Sequence, residues 1–326
     1  MPLQRRRIQL SKILEALTSE RRAIGETNRT VTHPAAINLA ASSDAIAFVG
    51  ATQKEPLRRI RDSRAGVIVC SQDLTISPDE FPDKTLILVN NPRLSFIRIL
   101  HSFFVAPPYW EIHPTAVIDD DAIIHPNVYI GPYCVVGKSE IDEGTILHAY
   151  VCVYDNCTIG RNVVIYAGCV IGAEGFGFEP DEKGILTKFP HFGRLIIEDN
   201  VEIQGLTNVD KGTLGDTVIG EGTKIDTGCH IGHNVHLGKH CVVAAHTMIG
   251  GGVMVEDYAY IAPCACFRNR IRVGTRSMVG TGALVTKDIP EDVVVMGAPA
   301  RPANEYKQIL GEMKRMASLV SDSIQA

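Results

Sequence analysis

No apolar run in this sequence approaches the roughly 18 residues needed to cross a bilayer, so a membrane-spanning helix is excluded. The opening stretch MPLQRRRIQLSKIL also lacks the apolar stretch of a secretory signal, and a cytoplasmic location is expected. Apart from Arg5 to Arg7, Lys and Arg are scattered, and the net charge is -5; there is no basic stripe of the kind that tracks a nucleic-acid backbone. The nine cysteines form no CxxC pair, since Cys264 and Cys266 are only two apart, which excludes a zinc ribbon or redox dithiol and leaves reduced thiols as the expectation. At 326 residues the chain has room for two or three domains.

What the sequence does have is a period of six. From Ile219 an aliphatic or aromatic residue recurs at 225, 231, 237, 243, 249, 255, 261, 267, 273, 279 and 285, a twelve-member register without a break. The same spacing runs through Ile118, Ile124, Ile130 and Val136. After a one-residue slip it continues through Ile141, Leu147, Val153, Ile159, Ile165 and Ile171, and later through Ile197, Ile203 and Val209. Four residues beyond each lies a small or β-branched side chain, among them Cys134, Cys157, Cys169, Cys229 and Cys241, which are read as packing thiols. Gly often follows the aliphatic position directly, as at 160, 172, 220, 238, 250, 274 and 280, where turns are expected to need permissive dihedrals. One apolar and one small residue per six fits neither a helix nor a hairpin array. It fits a parallel β-helix whose coils are three hexads long, so that residues three hexads apart lie side by side at about 4.8 Å.

The flanks differ. Residues 1–110 lack the repeat and read as a small α/β domain: an early helix in SKILEALTSE, buried strands in Val67–Ser71 and 85–91, and an amphipathic helix after Pro92. The β-helix is expected over 111–298, interrupted at 173–194 by a segment too rich in Gly, Pro and aromatics for disorder and too long for a turn, which suggests function. Residues 299–326 read as a terminal helix with a narrow apolar stripe, Tyr306, Ile309, Met313, Met316 and Val320, suited to packing against copies of itself in an oligomer.

Residues 229–241, CHIGHNVHLGKHC, crowd four histidines together, and a metal site is one reading. On coils of three hexads, however, positions three to ten apart fall on different faces or edges, so no three of His230, His233, His236, His240 and His246 converge within one chain. Zinc would need ligands from two subunits, as in a β-helical carbonic anhydrase-like hydratase. His233 stands apart because Gly251 follows it by three hexads, within the run IGGG. An imidazole can accept a proton from an attacking amine, and a bare amide one coil away can donate to the oxyanion that forms. Asp226 is a candidate to orient the ring. From the pattern alone, base and solvated turn residue both remain open for His233, and a non-catalytic β-helix scaffold remains open for the chain, although such a scaffold has no evident reason to keep the long loop.

Several stretches resemble the UDP-3-O-(3-hydroxyacyl)glucosamine N-acyltransferases of lipid A (lipopolysaccharide) biosynthesis: NNPRLSF at 90–96, HPTAVID at 113–119, GAEGFGF at 172–178, FGRLIIEDNVEI at 192–203, NVDKGTLGDTVIG at 208–220 and IGHNV at 231–235. The resemblance implies a left-handed parallel β-helix, a homotrimer with active sites between subunits, a uridine-binding N-terminal domain and a C-terminal helical region that helps hold acyl carrier protein. It implies His233 as general base and the Gly251 amide as oxyanion donor, with no metal and no resident cofactor. The reaction implied moves an acyl group from a phosphopantetheine thioester, on acyl carrier protein or CoA, to the amine of a nucleotide-linked amino sugar. Phe48, Phe176, Phe178, Phe189, Asn234 and Arg270 are the candidate substrate-binding residues. The chain departs from the family pattern at three places: VGATQKEP follows Phe48 where an asparagine and a tyrosine grip uracil, Arg270 stands where a second histidine is expected, and Lys211 replaces an arginine. The stretch VGTGALVTKDIPEDVVVMGAPARP looks like sugar acetyltransferases that use acetyl-CoA. A relative acting on another nucleotide-linked amino sugar and the lipid A enzyme itself are therefore both expected readings.

Overall fold

A computed structural model describes residues 6–17, 21–50, 52–77 and 79–325, with side chains to 317. The chain divides into two compact units, Met1–Pro108 and Tyr109–Ala326.

In the first unit, strands His33–Pro34, Ala45–Phe48, Val67–Ser71 and Thr85–Val89 run parallel, and Arg21–Ile24 closes the edge antiparallel to Thr85–Val89. Alternation along the strands sends Ile68, Cys70, Leu86 and Leu88 to one core, beneath the helix Pro56–Asp62, and Val67, Val69, Ile87 and Val89 to the other, beneath Leu10–Ala16 and Pro92–Ile99. The early helix is thus shorter than SKILEALTSE; Thr18 to Glu20 lie outside the described residues. The predicted strand over 85–91 ends at Val89 because Asn91 caps the next helix, accepting the Leu94 N–H at 3.0 Å.

The second unit is a parallel β-helix. Among the described residues its three faces hold ten, nine and eight strands. The inward positions stack in columns: Ile225, Val243, Ile261 and Val279 on the first face, Ile231, Ile249, Phe267 and Val285 on the second, and Ile219, Leu237, Val255 and Val273 on the third. Each partner is three hexads on, as the period requires. Nearly all these side chains are under 3% exposed, and burying each contributes about 1.5–3 kcal/mol. The slip after Val136 shows as Ile124 opposite Ile141, one position short of three hexads.

The small inward residues do more than fill space. Thr223 donates to the Gly238 carbonyl at 2.7 Å and accepts the Cys241 N–H at 3.0 Å. Cysteines make the same tie: Cys229 Sγ reaches the Ala244 carbonyl at 3.2 Å and Cys241 Sγ that of Glu256 at 3.1 Å. Of the glycines after the aliphatic positions, Gly172 has the expected positive φ, 81°, and the others require a correction. At the regular corners the left-handed residue lies three positions after the aliphatic one, as at Asn234, His240, His246 and Arg270. Glycine at the first position is needed for close approach instead: a Cβ on Gly220 would come within 2.5 Å of the Gly238 carbonyl carbon.

The helix Ala303–Gln325 follows the last coil. Of its stripe, Tyr306 lies against Gly297, while Ile309, Met313 and Met316 are exposed and the Val320 side chain lies outside the described residues.

Burial pushes the thiols of Cys157 and Cys241 up to about 12 and 11, and thiolate is the reactive form. Iodoacetamide at pH 8 is therefore expected to label exposed Cys264 while sparing Cys157 and Cys241 until denaturant is added, as read by peptide mass spectrometry. Equal labelling rates in the folded protein would contradict the packing assigned to these residues.

Candidate active site

One edge of the prism, between the second and third faces, collects nearly all the candidate residues. After Val170–Ala173 the chain leaves the edge as a hairpin, Phe178–Pro180 against Leu186–Lys188, and rejoins at Leu195, so that Ile159 pairs with Ile197 instead of with position 177. One coil later a second, shorter insertion leaves the same edge: Val209 pairs with Ile231 instead of with position 227. The ten-residue gap from Val209 to Ile219 is its signal in the sequence, which the reading of the repeat passed over. The two insertions brace each other, with Phe192 N–H on the Thr213 carbonyl at 2.7 Å, Gly193 N–H on that of Gly212 at 3.0 Å, and an Arg194–Asp216 ion pair at 2.7 Å. Below them on the same edge come His233 and Asn234, then Gly251 and Gly252, then Asn269 and Arg270.

These residues enclose a cavity of about 690 Å³, also lined by Gly177, Phe178, Glu179, Phe189, His191 and the short insertion's Thr213 to Gly215. His233 is half-buried in its wall. Its Nδ1 lies 3.0 Å from Asn234 Oδ1 and 3.1 Å from Thr213 Oγ1. Asn234 Oδ1 also accepts the Thr213 N–H at 3.0 Å, which fixes the amide with its oxygen toward the ring. An oxygen that only accepts puts the proton on Nδ1 and leaves the lone pair on Nε2. Asn234 itself sits in the left-handed region at φ 58°, tolerable for asparagine, with its N–H on Thr217 Oγ1.

The free nitrogen faces Gly251. A Cβ there would lie 2.7 Å from His233 Nε2, so only glycine leaves the space open. At several equivalent turn positions the N–H is capped by a carboxylate, as Lys138 is by Asp155, Arg161 by Asp199, Lys239 by Asp257, Ala245 by Asp226 and Thr275 by Glu256. Gly251, buried and lining the cavity, has no such cap and donates to no other group among the described residues.

That pattern corrects the role expected for Asp226. Its carboxylate accepts the Thr227 N–H at 2.7 Å and the Ala245 N–H at 3.2 Å, at the corner before that of His233. It is a turn cap; Asn234 and Thr213 hold the ring instead. Phe176 also differs from expectation. The irregular segment 174–177 turns Gly175 and Gly177 toward the imidazoles and Phe176 outward, 86% exposed, where it meets Phe178 edge to face at 5.0 Å; only Phe178 and Phe189 reach the cavity. Arg270 lines the cavity, exposed, at φ 60°. Phe48 belongs to the first unit, its ring tilted 33° against Phe96 at 5.0 Å. The remaining histidines of the crowded stretch are dispersed: His230 and His236 point outward from the second and third faces, and His240 and His246 occupy the other two corners, His240 stacked on Tyr258. Among the described residues no three His, Cys, Asp or Glu side chains are grouped to hold a metal ion.

The bacterial transferase hexapeptide model (six repeats) matches residues 138–173 and 216–251. A UDP-3-O-acylglucosamine N-acyltransferase of Rhizobium meliloti is 31% identical over 337 aligned residues, covering 95% of this chain and 94% of that protein. The chain belongs to the UDP-3-O-acylglucosamine N-acyltransferase family. It spans about half the length of two other family members: that of Methylobacterium nodulans is 39% identical over 160 residues, 49% of this chain and 45% of that protein, and that of Methylobacterium sp. 37% over 174 residues, 53% and 47%. Among solved structures, the UDP-N-acetylglucosamine acyltransferase of Francisella novicida is similar at 29% identity and a TM-score of 0.55, over 59% of this chain and 70% of that one. LpxA from Acinetobacter baumannii is similar at 27% and 0.51, over 59% and 72%. With the hexapeptide match, these neighbours identify the solenoid as the left-handed β-helix that the family resemblance implies.

Two substitutions separate the roles assigned to the polar side chains. Asp226→Ala is expected to cost about 1 kcal/mol in chemical denaturation through its lost turn bonds while leaving the ¹⁵N ring signals of His233 unchanged. Asn234→Ala is expected to erode the Nδ1–H tautomer in the same spectra.

Proposed function

We propose that this chain transfers an acyl group from a phosphopantetheine thioester to the amine of a UDP-linked amino sugar, with His233 as general base and the Gly251 amide as oxyanion donor. The observation that supports this reading is a tautomer-fixed imidazole whose Nε2 lies beside the side-chain-free Cα of Gly251, a buried residue whose N–H carries no carboxylate cap, within one cavity. The amine attacks the thioester carbonyl while Nε2 takes its proton. The carbonyl oxygen becomes an oxyanion, which the waiting Gly251 N–H stabilises. Collapse breaks the C–S bond, the imidazolium returns its proton to the departing sulfur, and the products are an amide and a free thiol. Neither a metal nor a covalent enzyme intermediate is required by this sequence of steps.

The family resemblance supports acyl carrier protein as donor, and the acetyltransferase-like stretch before Pro302 supports CoA; the amino sugar of lipid A and another nucleotide-linked amino sugar are likewise both compatible with the cavity. Arg270 and Asn234 are proposed to meet polar groups of the substrates, with Phe178 and Phe189 meeting apolar ones. A homotrimer would set the open cavity edge in a groove against a second copy. A role for the first unit, including Phe48, in holding the nucleotide is part of the same proposal, as is a cytoplasmic location.

The test is a thioester-release assay crossing acetyl-CoA, short hydroxyacyl-CoA and long acyl carrier protein donors with UDP- and dTDP-amino sugars. His233→Ala is expected to lower kcat by about 100- to 10,000-fold with a melting temperature near that of the parent chain, whereas Gly251→Ala, which keeps the N–H but sets a methyl group 2.7 Å from His233 Nε2, is expected to lower kcat by displacing the ring. Unchanged turnover in His233→Ala would refute the mechanism.

A further inference from the structure

His191 takes no part in the chemistry above, yet it is 3% exposed and lies in the wall of the same cavity. Its Nδ1 is 2.9 Å from the Phe189 carbonyl oxygen, which can only accept, so the proton is on Nδ1 and the lone pair on Nε2. That Nε2 is buried with no hydrogen-bond partner, a costly arrangement for an acceptor. The ring stands edge-on to His233, with centroids 5.2 Å apart and planes at 81°. A Cβ built on Gly175 would come 3.0 Å from His191 Nε2 and 2.9 Å from both Cβ and Cδ2 of His233. The lone pair and the carbon edge of the base therefore border one closed crevice, too tight for a methyl group and so too tight for a substrate hydroxyl. Whatever His191 does, it does through His233.

We propose that His191 is a positioning residue: resting on the reading of His233 as base, its neutral ring holds the His233 ring upright and its lone pair favours the protonated form of that ring. The carbon-bound hydrogens of an imidazole become more acidic when the ring takes a proton, so a lone pair at that edge attracts imidazolium more than imidazole. Contacts of this kind are weak, which limits the effect to a few-fold. The charged groups facing the two rings are Glu179 and Arg270 in the cavity wall and, on the hairpin, Glu174, which takes the His191 backbone N–H and pairs with Lys188; Lys211 of the short insertion acts on Glu174. All remain in a His191 variant.

The experiment is the pH profile of kcat and kcat/KM for the full chain with His191→Phe and His191→Gln. Removing the lone pair makes His233 easier to deprotonate, so in His191→Phe the acid limb is expected to move down by about half a pH unit and kcat to fall about threefold, with KM for both substrates unchanged. Glutamine, whose side-chain oxygen can face the same crevice, is expected to restore most of both. A parental profile and kcat in His191→Phe would overturn the proposal, as would a loss carried by KM, or failure of His191→Gln to recover when it melts with the parent. An active His233→Ala variant would instead remove the underlying base assignment, so the two failures are distinguishable.

Discussion

The parallel hydrogen-bond ladder that sets each residue beside the one three hexads later governs everything at the active edge. His233 and Gly251 are near each other only because Ile231 pairs with Ile249. No flexible loop has to bring them together, and no entropy is lost in doing so when substrates arrive. The columns of aliphatic side chains fix the register: shifting a coil by one residue would turn its inward side chains out to solvent. Rigidity of the site is thus inherited from the core.

A prism with three edges could place chemistry on any of them, and the insertions decide which. Both leave the solenoid at the corner that carries His233, and the short one delivers Thr213 to the ring. The long hairpin has a different task. It brings Gly175 and His191 against the back of His233 and Phe178 and Phe189 to the mouth of the cavity. A bare coil would leave the same imidazole as a solvated turn residue, like His240 or His246 at the other corners.

The solenoid was legible in the sequence because its physics is periodic: one buried residue per six produces a signal that repeats along most of the chain. The pairing of His233 with Gly251 was legible for the same reason, since it needs only the three-hexad coil. What stabilises the ring was not. Asp226 looked suitable by charge and proximity in sequence, but one hexad along is one corner away on a three-sided coil, and the carboxylate is used by the turn it belongs to. Thr213 and His191 lie in insertions, where periodicity gives no coordinates; only the four-residue excess between Val209 and Ile219 hinted that something other than a coil was being built. The outward turn of Phe176 depends on the path of the irregular segment 174–177 that leads into the hairpin, which composition does not reveal.

Carboxylates cap turn N–H groups on all three edges, the working edge included at Lys138, but among the described residues not at the coils that carry His233 and Gly251. Caps at Lys138, Arg161, Lys239, Ala245 and Thr275 each satisfy a turn N–H that the ladder leaves over, a contribution of about 1 kcal/mol apiece. At Gly251 the equivalent position carries no cap, and at His233 the side chain that could have reached back is an imidazole turned toward the cavity. An acidic side chain in either place would satisfy the turn and, in the proposed mechanism, place a negative charge where the oxyanion forms, opposing it electrostatically. The same stretch of β-helix therefore cannot be both fully capped and competent to stabilise an oxyanion. In the proposed mechanism, local stability is given up at the Gly251 turn to keep a donor free for the oxyanion.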